Sequence, residues 1–172
     1  MLFRSCFLVM CDAELAYIAG YFDGEGSVFI RHEARHVNSY RVQVKIGNTY
    51  KPVLDQLKER FGGSLYAKPL YKTAGAKMAG RQFWEWVIHG KGAYNFLVQI
   101  SPCLREKAVQ AEEAMDFYRA YGGRNGWMRD DLGNFMRGTR EQQEDKEARY
   151  LRMKALKRVE YTREEEGFAA LS

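Results

Sequence analysis

Apolar positions recur along this chain with two different periods, and the changes of period mark out its elements. Leu15, Ile18 and Phe22 fall at i, i+3 and i+7, the core-facing stripe of a helix. Asp12 can cap that helix, and Glu14 falls in its first turn, where the helix dipole favours an acid. A second stripe, Ala13, Ala16, Gly20 and Gly24, lies on another face of the same helix. Side chains that small lower helix propensity and let a second backbone come close. The neighbour is either another part of the same domain or a second helix of the same kind.

After Gly26 the period drops to two. In residues 27–35, Phe29, Arg31, Glu33 and Arg35 share one face, while Val28 and Ile30 begin the other. In residues 39–46, Ser39, Arg41, Gln43 and Lys45 alternate with Tyr40, Val42, Val44 and Ile46. The pair predicts an antiparallel hairpin turning through residues 36–38. Asn48 then reads as the cap of a second helix, with Pro52 in its first turn, Val53, Leu54, Leu57 and Phe61 as its stripe, and Gly62 and Gly63 as its stop. Ser64, Tyr66 and Lys68 alternate with Leu65 and Ala67 in a third strand. Trp84, Trp86 and Ile88 share one phase of a fourth. Between these two strands, residues 72–81 form a basic loop with Lys72, Lys77 and Arg81. A short helix over about residues 92–100 follows, and Ser101 and Pro102 open a longer one ending near Tyr121.

This order predicts an α+β domain over residues 12–121, a four-stranded antiparallel sheet with helices on one face and a polar, basic face left open. A two-stranded ribbon of that kind fits the major groove of B-DNA. Residues 1–11 read as a flexible extension. Residues 122–172 read as a glycine-rich connection followed by a charged helix over about 140–159, capped by Thr139 and carrying a weak stripe of Ala148, Leu151 and Ala155. That helix reads either as a solvated appendage or as a bar lying along phosphates through Arg149, Arg152, Lys154 and Lys157.

Composition narrows the class. With 172 residues, 46% apolar and 14% aromatic, the chain can bury a substantial core, which argues against disorder and against a small disulfide scaffold. Cys6, Cys11 and Cys103 form no C-x-x-C pair, so a zinc ribbon and a thioredoxin-type centre are excluded and a reducing compartment is expected. No stretch reaches the ~18 apolar residues of a membrane span. The net charge of +5 is unevenly placed: −3 over residues 1–26, +7 over 27–90 and +1 over 91–172. A basic middle that contains the open strands points to a polyanionic partner.

The chemistry concentrates at the end of the first helix, in Ile18-Ala19-Gly20-Tyr21-Phe22-Asp23-Gly24-Glu25-Gly26. A calcium-binding EF-hand loop starting at Asp23 fails, because Val28 stands where the loop glycine is needed and Ala34 where the closing glutamate is needed. His32, His36 and His89 read as surface or groove-facing side chains rather than metal ligands. The nonapeptide resembles the motif of the LAGLIDADG homing endonucleases, with D-G-E-G in place of its closing D-A-D-G. Phe61-Gly62-Gly63, the Trp86-Val87-Ile88 run, and Pro102-Cys103-Leu104 followed by Lys107 fit the same family over residues 12–121.

The resemblance implies an αββαββα fold with a saddle-shaped sheet, and phosphodiester hydrolysis in double-stranded DNA. It makes Glu25 the catalytic metal ligand, for Mg²⁺ or for Mn²⁺ or Ca²⁺ at the same site, and Lys107 a basic group near the scissile phosphate. Asp23 is then structural. It places Phe29, Arg31, Glu33, Arg35, Ser39, Arg41, Gln43, Lys45, Ser64, Tyr66, Lys68, Lys72, Lys77 and Arg81 on the DNA. Because the chain carries one such motif, the resemblance implies a homodimer paired through Ala13, Ala16, Gly20 and Gly24, with a roughly palindromic target. An intron-encoded protein working inside the cell with DNA, in bacterial or phage-infected cytoplasm or an organelle matrix, is expected, with no membrane and no small-molecule cofactor. An RNA-splicing maturase and a nuclease-inactive regulator remain alternatives on the same fold.

Overall fold

The first helix runs without a break into the first strand, so the end of one element fixes the start of the other. In the computed structural model, residues 13–33, 39–68, 82–122 and 138–169 are described. Helix α1 (Ala13–Glu25) leads into β1 (Gly26–Glu33), β2 (Ser39–Asn48), α2 (Lys51–Phe61), β3 (Ser64–Ala67), β4 (Trp84–His89) and α3 (Gly90–Ile100). A single 3-10 turn (Ser101–Cys103), α4 (Ala108–Tyr121) and α5 (Arg140–Ala169) follow. The strands form one antiparallel sheet in the order β1-β2-β4-β3. The expected extension at 1–11, the hairpin turn at 36–38, Arg35, the basic loop with Lys72, Lys77 and Arg81, and most of the glycine-rich connection lie outside the described residues.

The register confirms the strand phases. Val28 pairs with Val44, Ile30 with Val42 and Ile46 with Trp86, and all six are buried under the helices. Phe96 of α3 is the centre of this layer: its ring meets Phe22, Phe61 and Trp86 edge-on at centroid distances of 5.6, 4.9 and 5.2 Å. Helix α2 stops at Gly62 (φ 77°) and Gly63 (φ 86°), conformations that disfavour other residues. The indole N–H of Trp86 donates to the Gly62 carbonyl at 2.8 Å and ties that stop to β4.

Four expectations are corrected. Asn48 does not cap α2; it ends β2, accepts the Tyr50 N–H at 2.8 Å and donates to the Tyr21 hydroxyl at 2.7 Å, while Tyr50 occupies the cap position. Ser101 and Pro102 open a 3-10 turn rather than the long helix, which starts only at Ala108. His32, by contrast, is a surface side chain as expected; it lies in the helix-side phase beside Tyr40, ring centroids 4.7 Å apart. Cys103 is disulfide-bonded, where a reducing compartment was expected. Finally, α5 is no solvated appendage. Its Ala148, Leu151 and Ala155 are exposed, and it packs through Tyr150 and Met153, the latter 2% exposed. Among the described residues, no helix is long and apolar enough to cross a membrane.

Candidate nucleic-acid interface

The α1–β1 junction sets the position of the acidic group. Gly26 follows Glu25 directly, and the Phe22 ring covers it so closely that any Cβ there would run into the ring. Glu25 itself is exposed at the last position of α1. Asp23, two residues earlier, is buried, and its carboxylate accepts the backbone N–H groups of Arg105 at 2.9 Å and Lys107 at 3.0 Å. The Lys107 ammonium donates to the Asp23 backbone carbonyl. The two acids of the motif therefore divide the work: Asp23 ties the turn before α4 to the end of α1, and Glu25 is left facing solvent. Among the described residues, no group of three or more His, Cys, Asp or Glu gathers as a ready metal cage.

Beyond Glu25 the sheet opens its uncovered face. Arg31 lies directly opposite Arg41, and both are exposed. Like charges placed opposite one another across two strands destabilise the pair unless a third group offsets them. Phe29 lies opposite Gln43, which shares the phase but is only 4% exposed. Ser64 and Tyr66 are exposed on the far strand. Glu33 and Ser39 end the hairpin's two strands opposite each other.

Strand β4 adds Glu85, Val87 and His89 to this face, since they pair with Gly47, Lys45 and Gln43. Glu85 is the one that matters electrostatically. Its carboxylate meets the Lys68 ammonium at 2.6 Å and the Lys45 ammonium at 3.4 Å. Burial pushes the Glu85 carboxyl up, but the hydrogen bond from Lys68 and the charges of both lysines outweigh it and hold the group below the usual carboxylate range. Lys45 and Lys68, both placed on the DNA by the resemblance, are ion-paired to this glutamate. Its signal was present, because Trp84, Trp86 and Ile88 in one phase put Glu85 and Val87 in the other.

Among the described residues, nothing covers the outer face of α1. Ala13, Ala16, Gly20 and Gly24 are all exposed, with Tyr17 beside them at 62%. A Cβ built on Gly20 or Gly24 meets nothing within 4 Å.

Several solved structures resemble the chain. The homing endonuclease I-CvuI in complex with its target is 19% identical over 62% of this chain and 66% of that chain, with a TM-score of 0.47. The archaeal intron-encoded homing endonuclease I-Vdi141I complexed with DNA is 20% identical over 62% of this chain and 67% of that one, with a TM-score of 0.47. The LAGLIDADG meganuclease I-CpaMI bound to uncleaved DNA is 15% identical over 83% of this chain but only 49% of that chain, with a TM-score of 0.41. No curated protein matches the sequence. Residues 12–101, more than half of the chain, match the family model of the LAGLIDADG-like domain, and the chain belongs to that family.

Proposed function

We propose that the chain is a site-specific double-strand DNA endonuclease that acts as a homodimer on a long, roughly palindromic target. The observation that carries this reading is the α1–β1 junction. An exposed carboxylate, Glu25, stands one residue ahead of the strand that opens the basic face. Any backbone bound along Arg31 and Arg41 thus leads toward an unshielded acid.

The outer α1 face supports pairing. Two copies related by a two-fold axis can set Gly20 and Gly24 of one helix against the same residues of the other. That contact brings two Glu25 carboxylates together, one from each copy. A hard divalent ion such as Mg²⁺ needs only one or two carboxylates, the rest of its shell being water and substrate phosphate. Glu25 fits that requirement, and Asp23 does not, since two backbone amides occupy its oxygens. When bound, Mg²⁺, or Mn²⁺ or Ca²⁺ in the same place, supplies charge neutralisation and an activated water. The protein's own part is positional. Asp23 fixes the Lys107 turn against α1, so the lysine stands at the acidic helix end where phosphate charge must be offset. The open face grips the duplex and sets its register.

The reading is tested by incubating the purified chain with a plasmid library of randomised inserts, with and without Mg²⁺. Linear product enriched for a recurring near-palindrome, and absent in EDTA, is expected. Binding without linearisation would favour a regulator of the same fold, and stimulation of RNA splicing without DNA cleavage would favour a maturase.

A further inference from the structure

Glu85 stands on the open face, yet it is the least exposed member of its own charge cluster. In the register it pairs with Gly47 on one side and Tyr66 on the other. Gly47 offers no side chain, and the Phe83 ring closes over the space that a Cβ there would need. Lys45, opposite Val87, reaches the carboxylate from one direction along β4. Lys68, whose backbone N–H donates to the Phe83 carbonyl at 2.9 Å, reaches it from the other. The Glu85 side chain is 17% exposed, against 31% for Lys45 and 38% for Lys68. The acid is the floor of the cluster, and the two lysines are its outer surface.

Ion pairs this accessible add little to stability, so folding alone is a weak reason to sink an acid into a basic face. A lysine is a point charge on a flexible stem, and left alone it serves phosphate anywhere along a backbone, with no sequence information. Here one carboxylate draws on both ammonium groups, each of which has three N–H donors. The stems are fixed in direction, and two lysines against one glutamate leave a single net positive charge. A cluster held in this way is a weak clamp for phosphate and a directed donor for a base edge. We propose that Glu85 is a positioning residue for sequence specificity, holding Lys45 and Lys68 as donors to guanine O6 and N7 in the major groove, the acceptors that lysine pairs with. The proposal rests on the DNA-cleaving reading above and deepens it. Glu85 acts through the lysines: its carboxylate sets where they point and withholds charge from the sequence-blind attraction to phosphate.

The test uses the full chain, E85Q, E85D and K68M, and scores binding rather than cleavage. Duplexes recovered by binding from a randomised pool are compared with their single-base variants, and with a mixed-sequence duplex across a potassium chloride series. Glutamine keeps the size of the side chain and cannot anchor a lysine by charge. E85Q should bind the mixed duplex more tightly, with a log K against log salt slope steeper by up to about 0.9 per protomer, because one positive charge is released. Its preference for guanine at a symmetric pair of positions, about fivefold or more for a good lysine contact, should fall toward none. K68M should lose that preference without gaining affinity for the mixed duplex. E85D, which keeps the charge, should return the slope to that of the unmodified chain and restore part of the preference. An E85Q variant that melts with the unmodified chain and keeps every base preference overturns the role of Glu85 and leaves the nuclease reading standing, as does an equal loss of affinity for all sequences. If E85Q fails to fold, an unchanged set of preferences in K68M overturns it instead. No salt-dependent binding of duplex DNA by the unmodified chain overturns both readings.

Discussion

The two faces of the sheet are cut from alternate residues of the same four strands and are finished by opposite rules. On the covered face every side chain has its neighbour: Val28 against Val44, Ile30 against Val42, and Trp86 buried beneath Phe96 and hydrogen-bonded to Gly62. On the open face Arg31 is set directly opposite Arg41, while in the centre Lys45 and Lys68 share Glu85. The first face is complete without a partner. The second pairs charge with countercharge in its middle and sets like charges opposite each other nearer β1. Stability and recognition are thus separated by residue parity.

The largest effect expected of this division is on the covered face. Phe96→Ala removes the ring that Phe22, Phe61 and Trp86 share, and a buried Phe→Ala change costs about 3–5 kcal/mol. Urea unfolding should report it; a loss below about 1 kcal/mol would mean that Phe96 is not the hub of that layer. Next is Gly20→Leu. A Cβ at that position meets nothing among the described residues, and leucine is a better helix former than glycine. The folded monomer should therefore melt no lower, while light scattering shows the dimer lost. A normal dimer would place the interface elsewhere.

Smaller still is Arg41→Ala. If Arg41 reads a base edge, one bidentate contact worth about 1–3 kcal/mol disappears, and cleavage tolerance widens at one symmetric pair of positions. A common loss across all single-base variants of the target would make it a phosphate contact instead. The smallest concerns the α4–α5 joint. Burial and a hydrogen bond to Asp145 push the Tyr121 hydroxyl from 10.0 up to about 12. Since the folded value is raised, this contribution is complete below about pH 10 and is lost as the pH climbs toward 12. Thermal melts across that window should fall in the unmodified chain and fall less in Tyr121→Phe.

Most of the fold was legible because one face of each strand is buried. That burial forces the alternation of Val28, Ile30, Val42 and Val44, and a slip of one residue would expose all of them. The acidic site was legible for a local reason, since the nonapeptide compresses packing glycines and carboxylates into one helix end. Two parts were not. The face by which α5 docks differs from the expected one, because Ala148, Leu151 and Ala155 look like its apolar stripe while the contacts with the core come from Met153 and Tyr150. Only the position of β1 decides between these faces, and that is a long-range fact. Glu85 was overlooked because its partners, Lys45 and Lys68, lie on the two neighbouring strands, and sequence spacing does not reveal which strands adjoin. Local periodicity gives a residue its face; it does not give the residue its neighbour.

The account depends most on Glu25 as the acid that the fold leaves open for chemistry. The direct test is Glu25→Gln, assayed in parallel for Mg²⁺-dependent double-strand cleavage and for binding to the same duplex. The amide keeps the size of the side chain and removes the charge that would hold a hard cation. Cleavage should fall to background while binding stays close to that of the unmodified chain. Retained double-strand cleavage by Glu25→Gln in Mg²⁺ would contradict the assignment.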